Sequence, residues 1–113
     1  MVEAASVFCD VISFNCYDDT LEPSKWSFLY SFTEPAMIGE FHFPAADQGM
    51  FPRGKTRLNQ KEKLNARDAY VKSALSTKTF IGAHWFQYVD QPLTGRWFDS
   101  ENYEIGFIGV TDL

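Results

Sequence analysis

The sequence predicts an α/β protein whose strands lie parallel in one sheet. Three apolar runs of strand length alternate with two amphipathic helix patterns, and strands separated by helices pair in parallel rather than as hairpins. Two long polar loops each follow a strand, and the loops beyond the carboxyl ends of parallel strands are where such folds hold ligands. We therefore expect the functional residues at that end of the sheet.

Length and composition limit the classes of protein. The 113 residues are enough for one domain with a single core, predicted to cover residues 1–113, and 17% aromatic content favours a packed core. A formal net charge of −5 argues against nucleic acid as a partner. No apolar run approaches the roughly 20 residues of a membrane span, and the first residues lack the features of a signal peptide. The compartment stays open.

The first half of the chain contains two predicted strands and a short helix. Ser6–Asn15 is almost continuously apolar or β-branched, which predicts a strand buried on both faces. Leu21–Phe32 shows apolar residues at helical spacing, with Pro23 near the expected helix start. Pro35–Phe43 is a second apolar run, and it carries Glu40.

A long loop and the strongest helix pattern follow. Pro44–Leu58 holds prolines, glycines and mixed charges without periodicity, which predicts a loop. At Asn59 a candidate N-cap is followed three residues later by Glu62, as in a capping box, and an apolar stripe continues to Ser76. We predict a helix from this cap to Ser76.

The last third repeats the pattern of strand and loop. Phe80–Phe86 is the third predicted strand, and Gln87–Asn102 is a second long polar loop. Tyr103–Val110 is predicted to be extended.

Glu40 is the most unusual residue of the predicted strands. It lies near the carboxyl end of the second strand with apolar neighbours in sequence, and an unpaired buried carboxylate costs several kcal/mol. Two interpretations remain open from the residues: a carboxylate in a salt bridge at the strand end, or a catalytic carboxylate.

Metal and thiol chemistry are less well supported. Glu40 and His42 would point to the same side of a strand, but with His84 they lack a tight ligand motif, so no metal site is predicted. Cys9 and Cys16 have no basic neighbour that would activate a thiolate. On one strand their odd spacing would also point them to opposite faces, which excludes a disulfide between them.

The end of the third strand combines aromatic rings with polar groups. Trp85 is followed by a segment of aromatic, amide and acidic residues, Phe86–Pro92. Sugars bind to such mixtures, because their apolar faces stack on rings while amides and acids bind the hydroxyls. Asn15–Asp19, after the first strand, has a similar composition. Core packing is the alternative role for the aromatic rings.

Several segments together resemble the carboxyl-terminal part of the catalytic domain of agarase-type glycoside hydrolases. These segments are Phe8–Tyr17, Met37–Phe43, Gly49–Phe51, Gly82–Tyr88, Asp90–Arg96 and Glu101–Phe107. The resemblance covers almost the whole chain and implies a partial (β/α)8 barrel. Its three parallel strands would correspond to strands six, seven and eight, with two connecting helices. These glycosidases include β-galactosidases and act with retention of configuration.

The resemblance also implies roles for individual residues. Glu40 matches the catalytic nucleophile of the family. Substrate-binding roles are implied for eight residues: Asn15, Tyr17, His42, Trp85, Gln87, Asp90, Glu101 and Asn102. The substrate would be a galactan or an agaro-oligosaccharide, and no cofactor or metal is implied.

The chain is short for such an enzyme. A full barrel needs about 250 residues, and the fourth strand, which carries the acid/base Glu in this family, has no counterpart here. We therefore expect a fragment or remnant that is weak or inactive alone. Its open sheet edges predict a homo-oligomer or association with the missing amino-terminal half of the barrel. The alternative is a carbohydrate-binding or self-assembling module without catalysis.

Overall fold

In a computed structural model, residues 1–110 form an α/β structure with three parallel strands in the order β1-β2-β3. The elements are α1 (Val2–Phe8), β1 (Ile12–Asn15), α2 (Pro23–Trp26), a 3-10 helix (Ser27–Ser31), β2 (Ala36–Phe41), α3 (Gln60–Ser76) and β3 (Phe80–Trp85). The predicted α/β class and parallel pairing are confirmed. No helix within the described residues is both long and apolar enough to cross a membrane.

The chain divides into two compact units. The sheet unit consists of Met1–Phe41 and Asp68–His84, and the loop unit consists of His42–Arg67 and the residues from Trp85 onward. Each unit has its own buried residues. In the sheet unit these include Ile12, Leu29, Ile38 and Phe41, and in the loop unit Phe43, Ala45 and Ile105.

The first predicted strand is wrong over its first half. Val2–Phe8 is helical, and β1 begins only at Ile12, whose amide donates to the Pro35 carbonyl at 2.9 Å. Because β2 starts at Ala36, the backbone before Ile12 has no strand to pair with and forms local helical hydrogen bonds instead. Burial on both faces is also wrong, since β1 is an edge strand and only Ile12 in it is buried.

The cysteines accordingly do not share a strand. Cys9 caps the carboxyl end of α1, and Cys16 follows β1. Both are free thiols, and the shared strand on which the exclusion of a disulfide was based does not form.

The predicted strands β2 and β3 and the long helix α3 are confirmed, with small shifts at their ends. Asn59 Oδ1 accepts the Glu62 amide at 3.0 Å, which is the predicted N-cap. The Glu62 carboxylate reaches back to the Leu58 amide at 3.0 Å, one residue earlier than an ideal capping box. The helix predicted near Pro23 forms as the short α2 and the following 3-10 turn.

The Tyr103–Val110 segment, which the sequence predicts to be extended, forms no strand in the structure. Within residues 103–110 only isolated bridges occur, between Phe51 and Tyr103 and between Val89 and Ile108. The amides of Ile105 and Gly106 donate to Asp90 Oδ1, at 2.8 and 2.6 Å, and are therefore not available to a strand ladder. Thr111–Leu113 lie outside the described residues.

Candidate active site

The sheet unit brings Glu40 and Tyr17 together at the carboxyl end of β2. The Tyr17 hydroxyl donates to Glu40 Oε2 at 2.7 Å, although the two residues are 23 positions apart. Within residues 1–110, Glu40 forms no ion pair with a lysine or arginine, and no other side-chain hydrogen bond. The structure therefore does not show the salt bridge that was the alternative interpretation of Glu40. One carboxylate oxygen is held by a neutral donor.

A register shift between Phe14 and Asn15 sets the backbone beside Glu40. Phe14 pairs with Ile38, but Asn15 pairs with Glu40 because one residue of β2 is passed over. The passed residue is Gly39, where a Cβ atom would lie 2.4 Å from Ser13 Oγ and 3.1 Å from Asn15 Oδ1. Only a glycine gives the two β1 side chains this space. The Cys16 amide then donates to the Glu40 carbonyl at 3.0 Å.

Tyr70 of α3 supports the turn that carries Tyr17. Its ring stacks on Phe41 with centroids 4.1 Å apart, and its hydroxyl donates to the Cys16 carbonyl at 2.6 Å. Burial raises the pKa of the Tyr70 hydroxyl, so it remains a proton donor over the whole working pH range. This contact fixes the chain directly before Tyr17.

In the loop unit, Trp85 is held by its polar edge and by one neighbouring ring. Its Nε1–H donates to the Ile105 carbonyl at 2.8 Å, and its ring stacks on Phe107 with centroids 4.9 Å apart. Phe43 contacts it at a tilt, with centroids 6.3 Å apart. Trp85 is half-buried, so part of its surface remains accessible.

His42 and Gln87 are both tied to nearby carbonyl groups. His42 Nδ1 lies 3.1 Å from the Phe86 carbonyl oxygen, a hydrogen bond that requires the proton on Nδ1. Gln87 Nε2 donates to the Val89 carbonyl at 2.7 Å. The peptide bond between Phe86 and Gln87 is cis. His42 lies just beyond the end of β2, so the strand geometry used in the sequence analysis does not extend to it.

Asp90 is buried within the loop unit. One of its oxygens accepts two backbone amides, and desolvation raises the pKa of its carboxyl group. The Gly106 and Ile105 amides, which favour the charged form, offset part of that rise. At Gly106 a Cβ atom would lie 2.3 Å from the Asp90 amide nitrogen, so the close approach requires glycine. Asp90 thereby organises the segment after Asn102.

Glu101 and Asn102 belong to a hydrogen-bonded loop around Arg96. The Arg96 guanidinium donates to Glu101 Oε2 at 2.7 Å and forms a second ion pair with Asp99, lowering the pKa of the Asp99 carboxyl group. Gln91 Nε2 also donates to Glu101, at 3.0 Å. Asn102 Nδ2 makes a long contact of 3.4 Å with the Leu93 carbonyl. Glu101 Oε2 thus accepts hydrogen bonds from Arg96 and Gln91.

The loop unit contains a buried ion pair that the sequence did not predict. Lys63 Nζ donates to Glu104 Oε1 and to the Gly106 carbonyl, each at 2.6 Å, and both side chains are almost fully buried. Gln60 and the Ala45 amide also donate to the Glu104 carboxylate. Glu104 lies between apolar residues in the sequence, and this is the same signal that drew attention to Glu40.

Across residues 1–110, no group of three His, Cys, Asp or Glu side chains is placed to hold a metal ion.

Comparison with known proteins gives consistent matches. Beta-agarase A of Vibrio sp. (strain JT0107) is 41% identical over 118 residues, covering 99% of this chain and 12% of that agarase. The solved structure of PfGH50B is 48% identical with a TM-score of 0.92, covering 98% of this chain and 16% of that one. An exo-β-agarase structure is 44% identical with a TM-score of 0.92, covering 98% of this chain and 15% of that one.

No family model matches the sequence. The chain spans only 12% of the length of the curated agarases that it matches. The resemblance to agarases is confirmed in sequence and in structure, and over nearly its whole length the chain is a homologue of one segment of the β-agarases.

Proposed function

We propose that this chain supplies the nucleophile of a retaining glycosidase that hydrolyses β-galactosidic bonds in agar-type galactans. The observation that carries the proposal is the Tyr17–Glu40 hydrogen bond of 2.7 Å at the carboxyl end of β2. A neutral donor orients the carboxylate without the strong pairing that a buried lysine or arginine would impose. The names of the similar proteins supply the substrate class, because they are β-agarases.

In the proposed reaction, a Glu40 oxygen attacks the anomeric carbon and the bond to the leaving oxygen breaks. The product is a covalent glycosyl ester that water hydrolyses in a second step. A second carboxylic acid, about 5–5.5 Å from the nucleophile, protonates the leaving oxygen and then activates that water. We propose that this acid lies outside the 113 residues, so that the chain alone is nearly inert on natural substrates.

The proposed fold of the complete site is a (β/α)8 barrel in which β1, β2 and β3 are strands six, seven and eight. Residues 1–113 would then be one part of a single barrel domain. Two observations support this proposal: the parallel order β1-β2-β3, and structural similarity with TM-scores of 0.92 to agarases of which the chain covers only 16% or less.

We propose substrate-binding residues in each unit, taken by itself. In the sheet unit, Asn15 and Tyr17 border the sugar that Glu40 attacks. In the loop unit, Trp85 supplies a ring for stacking, and His42, Gln87 and Asn102 supply polar groups. Asp90 and Glu101 each use one oxygen to keep the loop in place, because two backbone amides donate to Asp90 Oδ1 and Arg96 donates to Glu101 Oε2.

The open sheet predicts a partner. β1 and β3 are the two edges of the sheet in the described residues, and Ile81 on β3 is 61% exposed. Unpaired edges and exposed apolar side chains favour association. We propose that they pair with the rest of the barrel or with a second copy of this chain.

A chromogenic substrate with a very good leaving group tests the nucleophile without the missing acid. Dinitrophenolate departs with little need for protonation, so a dinitrophenyl β-galactoside should release it faster with the chain than in buffer. A methoxyphenyl β-galactoside should show no acceleration, because its leaving oxygen needs the acid.

Glu40→Gln should abolish the acceleration, whereas Glu22→Gln, at an exposed surface position, should retain it. Equal release by the parent and Glu40→Gln would overturn the proposed nucleophile.

A further inference from the structure

The helix α3 holds the loop after β1 at both of its ends. Residues 17–20 are exposed and lie in no helix or strand, so burial contributes little to holding them in place. At one end of the loop, the Tyr70 hydroxyl donates to the Cys16 carbonyl at 2.6 Å. At the other end, the Leu21 amide donates to Ser73 Oγ at 2.8 Å. Two hydrogen bonds to one helix therefore close the loop.

The two anchoring side chains lie one turn apart on the same face of α3. The Ser73 hydroxyl also donates to the Tyr70 carbonyl at 2.7 Å, so its orientation is set by a donated and an accepted hydrogen bond. The Tyr70 side chain is fully buried, and Leu21 is 3% exposed. The anchors therefore fix the distance between the two ends of the exposed loop.

Tyr70 also contacts the strand that carries Glu40. Its ring stacks on Phe41 with centroids 4.1 Å apart and planes at 6°. One side chain thus touches the residue after Glu40 with its ring and the residue before Tyr17 with its hydroxyl. The hydrogen bond of 2.7 Å between Tyr17 and Glu40 joins the two segments that Tyr70 holds.

We propose that Tyr70 and Ser73 are positioning residues for the attack by Glu40 and act through Tyr17. The proposal rests on the proposed function, which makes Glu40 the nucleophile. A hydrogen bond weakens steeply when its length or angle departs from the optimum. Without either anchor the loop gains freedom, so the Tyr17 hydroxyl spends less time on the carboxylate. The carboxylate is then less often oriented for attack.

Release of dinitrophenolate from the dinitrophenyl β-galactoside measures this effect in the whole chain. Tyr70→Phe keeps the ring on Phe41 and removes the hydroxyl. The release rate that depends on Glu40 should fall by about five-fold. Tyr17→Phe should cause a larger loss, of about ten-fold, because Tyr70 acts through Tyr17.

Ser76→Ala is the matched control on the same helix. The Ser76 hydroxyl is exposed and donates to the Lys72 carbonyl within α3, so its removal should leave the release rate unchanged. A loss in Ser76→Ala equal to that in Tyr70→Phe would overturn the proposal, because any lost hydroxyl of α3 would then have the same effect.

A double variant separates positioning from a general loss of structure. In the Tyr17→Phe background, Tyr70→Phe should lower the rate by less than about two-fold, because the contact that it positions is already absent. Rates are compared per folded protein, with the folded fraction taken from circular dichroism under the assay conditions. Equal losses in the two backgrounds would show a merely structural role and overturn the proposal.

The other end of the loop tests the proposal even where Tyr70→Phe does not fold. Ser73→Ala should lower the rate by about three-fold, and Ser73→Thr, which keeps a hydroxyl, should retain most of the parental rate. Parental rates in Ser73→Ala and in any folded Tyr70→Phe would overturn the positioning role and leave the proposed function intact. Equal release by the parent and Glu40→Gln would overturn the proposed function, and the positioning role with it.

Discussion

Glu40 in the sheet unit and Glu104 in the loop unit occupy similar sequence contexts but have opposite surroundings. Both are flanked by apolar residues. Glu104 is 2% exposed and is held by Lys63, Gln60 and the Ala45 amide. Glu40 is only partly buried and receives one side-chain hydrogen bond from the described residues, from Tyr17. The Glu104 carboxylate is held inside the fold, whereas one Glu40 oxygen accepts no hydrogen bond from the described residues, as the proposed nucleophile requires.

The largest predicted loss of stability comes from replacing Lys63, the partner of Glu104. Lys63→Met leaves the buried Glu104 carboxylate without its cation, and such losses cost about 3–5 kcal/mol of unfolding free energy. Urea denaturation of the variant should show a loss of this size or no folded state at all. Lys25→Met is the matched control, because the Lys25–Glu22 pair is exposed and such pairs contribute at most about 1 kcal/mol. Equal losses in the two variants would contradict the contrast between the units.

The backbone beside Glu40 is tested at Gly39. Gly39→Ala forces a Cβ atom against Ser13 Oγ, and overpacking of this kind costs about 1–3 kcal/mol. Thermal or urea unfolding should show the loss, and Ser13→Ala in the same chain should restore most of it by removing the clashing oxygen. Gly82→Ala on β3 meets no atom within 4 Å and should change stability by less than about 0.5 kcal/mol. A neutral Gly39→Ala would show that the register shift does not depend on glycine.

The smallest predicted effect is a pH-dependent change in stability at Asp90 of the loop unit. Its pKa is raised in the folded state, so folding favours the protonated form. Its contribution to stability is therefore fully present below the unfolded pKa and is lost as pH rises through the raised folded pKa.

Asp90→Asn keeps an oxygen for the Ile105 and Gly106 amides and removes the charge. Its stability relative to the parent should be higher at pH 7 than at pH 4, as measured by urea unfolding at both values. A difference that does not vary with pH would mean that Asp90 does not titrate in this range.

The sequence predicted the elements whose signals are local. The apolar runs of β2 and β3 and the Asn59 cap of α3 need only neighbouring residues to be recognised, and all three appear in the structure. The apolar Val7 and Phe8 misled the strand prediction, because whether such residues form a strand depends on a partner backbone far along the chain.

The side-chain partners of Glu40 and Glu104 could not be predicted from neighbouring residues in the sequence. Tyr17 and Glu40 are 23 residues apart, and Lys63 and Glu104 are 41 apart, so no local pattern links either pair. Apolar flanks indicate that a carboxylate needs a partner or a task, and only the fold distinguishes the two cases. Glu104 is paired with Lys63, whereas one Glu40 oxygen has no hydrogen-bond partner among residues 1–110.

The most direct measurement of the central claim is covalent trapping of Glu40. A dinitrophenyl galactoside with fluorine in place of the 2-hydroxyl forms the glycosyl ester but hydrolyses it slowly, so the sugar remains on the nucleophile. Peptide mass spectrometry should locate the label on Glu40, with no label on Glu40→Gln and labelling about ten-fold slower in Tyr17→Phe, the expected cost of one hydrogen bond to a charged group. A label on another carboxylate, or none on the parent chain, would contradict the account.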